Sequence, residues 1–152
     1  MNDMKIRRLA KSDLDPLLAL YAHLHAQDAP LPARQIVEEV WEELTGSGPH
    51  TCLGGFVDGE LVASCTLSVV PNLTRGCRPY GIIENVVTHA GFRRRGYGRR
   101  LLAEALAEAW RQGCYKVMLQ TGRKDEATLR FYESAGFDRT AKQAFVARPP
   151  AG

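Results

Sequence analysis

Arg93 to Leu102 reads RRRGYGRRLL. Five arginines and two glycines one residue apart lead straight into an apolar run. Upstream lies YGIIENVVTH (Tyr80 to His89), rich in β-branched residues and read as a buried strand. Downstream, YGRRLLAEALAEAWRQG (Tyr97 to Gly113) places Leu101, Leu102, Ala105, Leu106 and Ala109 on one helical face. The stretch is therefore a strand–loop–helix junction. Such a junction aims the helix's free N–H groups and the positive end of its dipole at whatever occupies the loop. Gly96 and Gly98 let the backbone approach an anion closely, and the arginines add bidentate donors.

Further out, Asp58-Gly59 between TCLGGFV and ELVASCTLSVV predicts a β-hairpin. MKIRRL (Met4 to Leu9) alternates well enough for a first strand. SDLDPLLALYAHLHAQ, from Ser12, predicts a helix with Pro16 in its first turn, and a second helix is predicted over residues 34–44. CYKVMLQ reads as a strand and DEATLRFYESAG as a helix stopped by Gly136. FDRTAKQAFVARP reads as a final strand or strand pair. The predicted order is β-α-α-β-β-β-α-β-α-β, a mixed α/β (α+β) chain around one twisted sheet.

The chain has 152 residues, 45% of them hydrophobic and 24% charged, which suits one soluble domain. A single domain over residues 1–152 is expected, its core spanning about 4–148. No apolar run is long enough for a bilayer, and the polar N-terminus does not resemble a secretory signal. Four cysteines without a C-x-x-C pair suggest reduced thiols and a cytoplasmic protein, not a disulfide framework. A net charge of +3 is too mild to imply nucleic acid, and Glu104 and Glu108 on the helix after the loop oppose it. No His/Cys/Asp/Glu set has metal-ligand spacing, so no metal is expected.

A dinucleotide fingerprint needs a third glycine where Leu101 stands, and no Gly-Lys-Ser/Thr supplies a P-loop. Arg93, Gly96 and Gly98 fit Arg/Gln-x-x-Gly-x-Gly instead. FYESAGF (Phe131 to Phe137) fits Phe-Tyr-x-x-x-Gly-Phe at the expected distance downstream, one strand later. Together with the element order, these motifs resemble the GNAT superfamily of N-acetyltransferases over nearly the whole chain. IENVV and GCYKVML are similar to the glucosamine-6-phosphate N-acetyltransferase branch and its bacterial relatives, although that branch shows Glu-Asp where this chain has Glu84-Asn85.

The resemblance implies the GNAT fold: a mixed twisted sheet of about six to seven strands flanked by about four helices. It implies acetyl transfer from acetyl-CoA to a primary amine of a small acceptor, an amino sugar, polyamine or similar, by a homodimer. Alternatives are a non-catalytic acyl-CoA sensor and an acetyltransferase acting on a protein amine. By the same resemblance, Val86, Val87 and Thr88 meet the pantetheine arm, with Val86 or Val87 N–H facing the thioester oxygen. The stretch Arg93, Arg94, Arg95, Gly96, Tyr97, Gly98 and Arg99 holds the pyrophosphate. An asparagine near the family's Phe-Tyr pair corresponds here to Thr128 or, by the commoner spacing, to Asp125, both expected beside the coenzyme. Tyr132 is expected to protonate the leaving thiolate, a phenol being protonated at neutral pH.

Glu84 either accepts the amine proton or binds a cationic acceptor, and strand alternation would set it on the same face as Val86. Asn85 reads as a hydrogen-bonder at a strand bulge and a lesser acceptor contact. His23, on the first helix, and Arg75 and Arg78, before the central strand, are further acceptor candidates or simply solvated. Direct transfer is preferred to an acyl-enzyme on Cys114.

Overall fold

The computed structural model describes residues 3–25 and 27–151. It divides into two compact units, a larger one ending at Leu119 and a smaller one beginning at Gln120.

The larger unit holds a five-stranded sheet in the order β1-β2-β3-β4-β5. Its strands are β1 (Lys5–Arg8), β2 (His50–Val57), β3 (Glu60–Val70), β4 (Tyr80–Thr88) and β5 (Val117–Leu119). Each pair is antiparallel except β4 with β5, which is parallel. The helices are α1 (Leu14–Tyr21), α2 (Arg34–Thr45), the single turn α3 (Thr74–Cys77) and α4 (Tyr97–Arg111). The smaller unit has α5 (Glu126–Ser134).

The local reasons are those the sequence suggests. Asp58 and Gly59 take φ of 49° and 80° between β2 and β3, the two positive values a tight hairpin turn demands. Leu101, Leu102, Ala105 and Ala109 of α4 are fully buried against the sheet, while Trp110 on the far side stays exposed. Leu14, Leu17 and Leu20 of α1 join Trp41 of α2, Cys52, Leu61 and Val87 in a core on the other face. Two aliphatic layers thus clamp the sheet and fix β4 between them.

Three expectations need correction. The sheet has five strands, not six or seven, because residues 135–151 form no strand. The smaller unit offers no other strand to pair with among its described residues, so a lone strand there would leave its ladder unsatisfied. The helices among the described residues number five against the expected four or so, the addition being the single turn α3, where Arg75, Gly76 and Cys77 turn left-handed at φ of 57°, 71° and 59°. α1 also stops at Tyr21, so His23 and His25 lie beyond the helix, with His23 in the turn that ends it.

Candidate active site

The centre of the site is a fault in β4. Glu84 pairs with Thr66 of β3, but Val87 pairs with Ser64. Two residues of β4, Asn85 and Val86, therefore face the single Cys65 of β3, which is a bulge. Asn85 takes φ of 52°, a left-handed conformation that asparagine tolerates better than most residues. The extra residue reverses the alternation. Glu84 shares its face with Val87, on the side of α1 and α2, and not with Val86 as simple alternation predicts. Val87 is buried in that core, while Glu84 and Asn85 are exposed.

β5 covers only the first part of β4. Their pairing runs from Gly81 with Val117 to Ile83 with Leu119. Glu84 to Thr88 extend past the last pair, and among the described residues the sheet holds no further strand on that side. An edge of this kind can take an extended ligand in the manner of an added strand, although the Thr88 carbonyl is already engaged by Arg93.

The arginine-glycine loop follows directly. A short turn, Ala90–Phe92, leads to Arg94 at φ 62° and Gly96 at φ 80°, and α4 begins at Tyr97. A Cβ on Gly96 would meet nothing within 4 Å, so conformation, not space, calls for glycine there. Arg100 N–H donates to Gly96 O at 3.1 Å, closing the first turn of α4. The N–H groups of Tyr97, Gly98 and Arg99 precede that bond and sit at the positive end of the helix dipole. Left-handed residues just before a helix start help gather N–H donors into a concavity suited to an anion.

The five arginines do different jobs. Arg93 donates from Nε to Thr88 O at 3.1 Å and from Nη2 to His23 O at 2.9 Å, so its guanidinium ties the loop to the end of α1. Arg100 is held by Asp3 at 2.6 Å and Met4 O at 3.0 Å. Arg95 lies over the Phe92 ring at 5.2 Å. Arg94, Arg95 and Arg99 are exposed around the concavity.

One buried polar contact was not read from the sequence. The Tyr21 phenol, from the end of α1, lies near the Thr66 hydroxyl, directly across from Glu84. Cys52 Sγ lies 3.6 Å from the same Thr66 hydroxyl. Burial pushes the Tyr21 phenol up to about 12, with Cys52 adding to the effect and Thr66 opposing it. Tyr21 reads in the sequence as one more member of an apolar stripe. The available signal was a threonine in the middle of ASCTLSVV, a buried hydroxyl that must find a partner.

The remaining candidates fall elsewhere. Arg75 and Arg78 stand with Lys116 around the Tyr115 ring, at 6.0, 5.6 and 5.1 Å, before the start of β4. The loop of Arg93 to Arg99 follows its far end, about 25 Å away at the usual rise per residue. Val86 is half-buried, and the Thr88 carbonyl is engaged by Arg93.

In the smaller unit, Asp125 caps α5. It accepts from Thr128 N–H at 3.1 Å and from the Thr128 hydroxyl at 2.9 Å, and it pairs with Arg123 Nε at 2.9 Å. Those contacts, Thr128 first, hold its carboxyl below the usual range. Tyr132 meets Phe131 and Phe137 edge-on, with ring centroids 5.0 and 6.4 Å away. Gly136, at φ 101°, ends the helix as expected. No cluster of three or more metal-ligating side chains occurs among the described residues. No helix among them is long and apolar enough to cross a membrane.

Residues 17–137 match the Acetyltransferase (GNAT) family. A glucosamine 6-phosphate N-acetyltransferase of Trypanosoma brucei brucei is 31% identical over 141 residues, covering 93% of each chain. An aminoglycoside N(6')-acetyltransferase type 1 of Serratia marcescens is 27% identical over 136 residues, 88% of this chain and 90% of that one. A solved structure from Agrobacterium tumefaciens str. C58 superposes with a TM-score of 0.88 at 41% identity, covering 95% of this chain and 99% of that one.

Proposed function

The chain belongs to the GNAT acetyltransferase family, and from that premise we propose that it carries the acetyl group of acetyl-CoA directly to the primary amine of an amino sugar or similar small acceptor. The observation that carries this reading is the uncovered edge of β4, Glu84 to Thr88, running into a loop built to hold an anion. An extended thioester arm fits that edge, and its pyrophosphate fits the N–H groups from Arg94 to Arg99. The amino-sugar acceptor rests on the two curated relatives, whose named acceptors both carry amines on sugars.

In the proposed step the amine nitrogen attacks the thioester carbonyl, forming C–N as C–S breaks. The N–H of Val86 or Val87 donates to the developing oxyanion, an effect worth about 3 kcal/mol of barrier. The amine proton passes to Glu84, directly or through water, and Tyr132 gives its phenolic proton to the departing thiolate. Fixing both ends of the coenzyme turns the encounter into a near-unimolecular step. The bulge supports the assignment of Glu84, since it keeps that carboxylate exposed on the same face as Val87.

The family match runs through both compact units, and the proposal takes residues 1–152 as one N-acetyltransferase domain. The four cysteines are free thiols, which accords with a reducing cytoplasm. A homodimer is part of the same proposal, and light scattering checks it.

The test is calorimetric titration of acetyl-CoA at two salt concentrations, followed by a screen of amine acceptors with free-thiol detection. Binding of one coenzyme per chain and thiol release with an amino sugar are expected. Tyr132→Phe should lower kcat by about tenfold or more with little change in coenzyme affinity. Coenzyme binding without thiol release for any amine would instead favour a sensor.

A further inference from the structure

The loop that opens α4 is anchored by two imidazoles. Ala90 N–H donates to His23 Nδ1 at 3.2 Å, and Gly91 N–H donates to His89 Nδ1 at 2.9 Å. The two rings lie against each other, centroids 4.0 Å apart and tilted by 35°. His89 meets Phe92 edge-on at 5.4 Å, and Phe92 lies 6.4 Å from Tyr97, the first residue of α4. Arg93 completes the anchor by bonding His23 O and Thr88 O, and His89 N–H is held by Val62 O at 2.8 Å. An aromatic run thus reaches from the turn after α1 to the start of the helix whose N–H groups face the anion.

We infer that His23 and His89 are positioning residues for the coenzyme loop, and that coenzyme affinity falls when His23 takes up a proton. This rests on the coenzyme reading of Arg93 to Arg99. Each Nδ1 accepts a backbone N–H, so each ring carries its single proton on Nε2. A proton added at His23 Nδ1 replaces an acceptor with a donor facing the Ala90 N–H. It also places a cation against the neighbouring imidazole and beside Arg93, the groups that face His23 from the loop. Burial, His89 and Arg93, in that order, already disfavour the His23 imidazolium. With Ala90 released, the positive-φ turn at Arg94 and Gly96 loses part of its support, and the N–H groups no longer converge.

The experiment measures the affinity for dephospho-CoA, which lacks the phosphomonoester that itself titrates near pH 6. Wild type should bind about tenfold more weakly at about pH 5.5 than at about pH 8. His23→Asn with His89→Asn keeps an oxygen acceptor at each place and should give a level profile with affinity close to wild type at high pH. His23→Phe keeps the ring but loses the acceptor, and should bind about fivefold more weakly at every pH. Thermal unfolding of each variant separates loop disorder from loss of fold. Absence of binding at about pH 8 by wild type overturns the coenzyme reading, and this inference falls with it. Binding at that pH with a level wild-type profile, or an equal slope in the double asparagine variant, overturns the positioning role alone.

Discussion

Glu84 and Val87 share one face of the sheet although three positions separate them, because Asn85 is an extra residue in β4. Register, not residue type, brings an exposed carboxylate into line with a buried valine there. The uncovered backbone beyond Ile83 begins at the same point. A bulge that both bends a strand and re-aims its side chains is a frequent neighbour of reaction centres.

Asn85 is the residue on which that geometry turns. Asn85→Val forces a β-branched side chain into φ of 52° and should cost about 1–2 kcal/mol, while Asn85→Gly should keep the bulge. Thermal unfolding and acetyl transfer are then expected to fall together in the valine variant. A valine variant with wild-type stability and turnover would show that the bulge does not matter.

Gly96 tests the loop in the same way. Its added methyl group would meet no neighbour, so Gly96→Ala acts only through φ of 80°. A penalty of about 1–2 kcal/mol in the bound loop corresponds to roughly a tenfold loss of acetyl-CoA affinity by calorimetry. Unaltered affinity would separate the glycine from the anion site.

Tyr21 packs against the core under α1 and brings its phenol near the Thr66 hydroxyl of the sheet. Thr66→Val takes that hydroxyl away from the half-buried phenol and should cost about 1–2 kcal/mol in urea unfolding. The phenol's folded value, about 12, is raised above the ordinary one of 10.0. Its contribution to stability is therefore complete below pH 10 and is lost as pH climbs towards 12. Ultraviolet titration should show one tyrosine ionising late, and Tyr21→Phe should remove it.

Asp13 governs the acid side. It is buried, accepts from Arg7 at 2.7 and 3.1 Å, and accepts Ala10 N–H at 2.7 Å. The Arg7 guanidinium, first among the causes, holds its carboxyl below the usual value. A depressed carboxyl stabilises the fold above its unfolded value of about 4, and that contribution disappears as pH falls through the folded one. Arg7 is half exposed, so water screens the pair and Asp13→Asn should cost only about 1–2 kcal/mol. Urea midpoints at neutral pH and near pH 3 check this: the gap between variant and wild type should narrow in acid.

What could be read from the chain alone was whatever depends on neighbours in sequence. Asp58-Gly59 demands a tight hairpin by its own backbone preferences, and Leu101, Leu102, Ala105 and Ala109 mark a buried face by helical spacing. Gly96 and Gly136 mark a loop and a helix stop because glycine tolerates positive φ. The Arg-x-x-Gly-x-Gly loop and the Phe-Tyr pair gave the family by the same local legibility.

Tertiary structure decided what depends on partners distant in the chain. The face of Glu84 hinges on how β4 registers against Thr66 and Ser64, and strand alternation knows nothing of a bulge. Arg93 belongs by motif to a phosphate loop, yet its guanidinium is spent on Thr88 and His23 carbonyls, because α1 ends beside the loop. His23 and His89 stand 66 positions apart, and only the packing of that turn on that loop brings their rings together. Residues 137–149 read as a final strand or strand pair and form none, since a strand needs a partner's ladder that the local sequence does not supply.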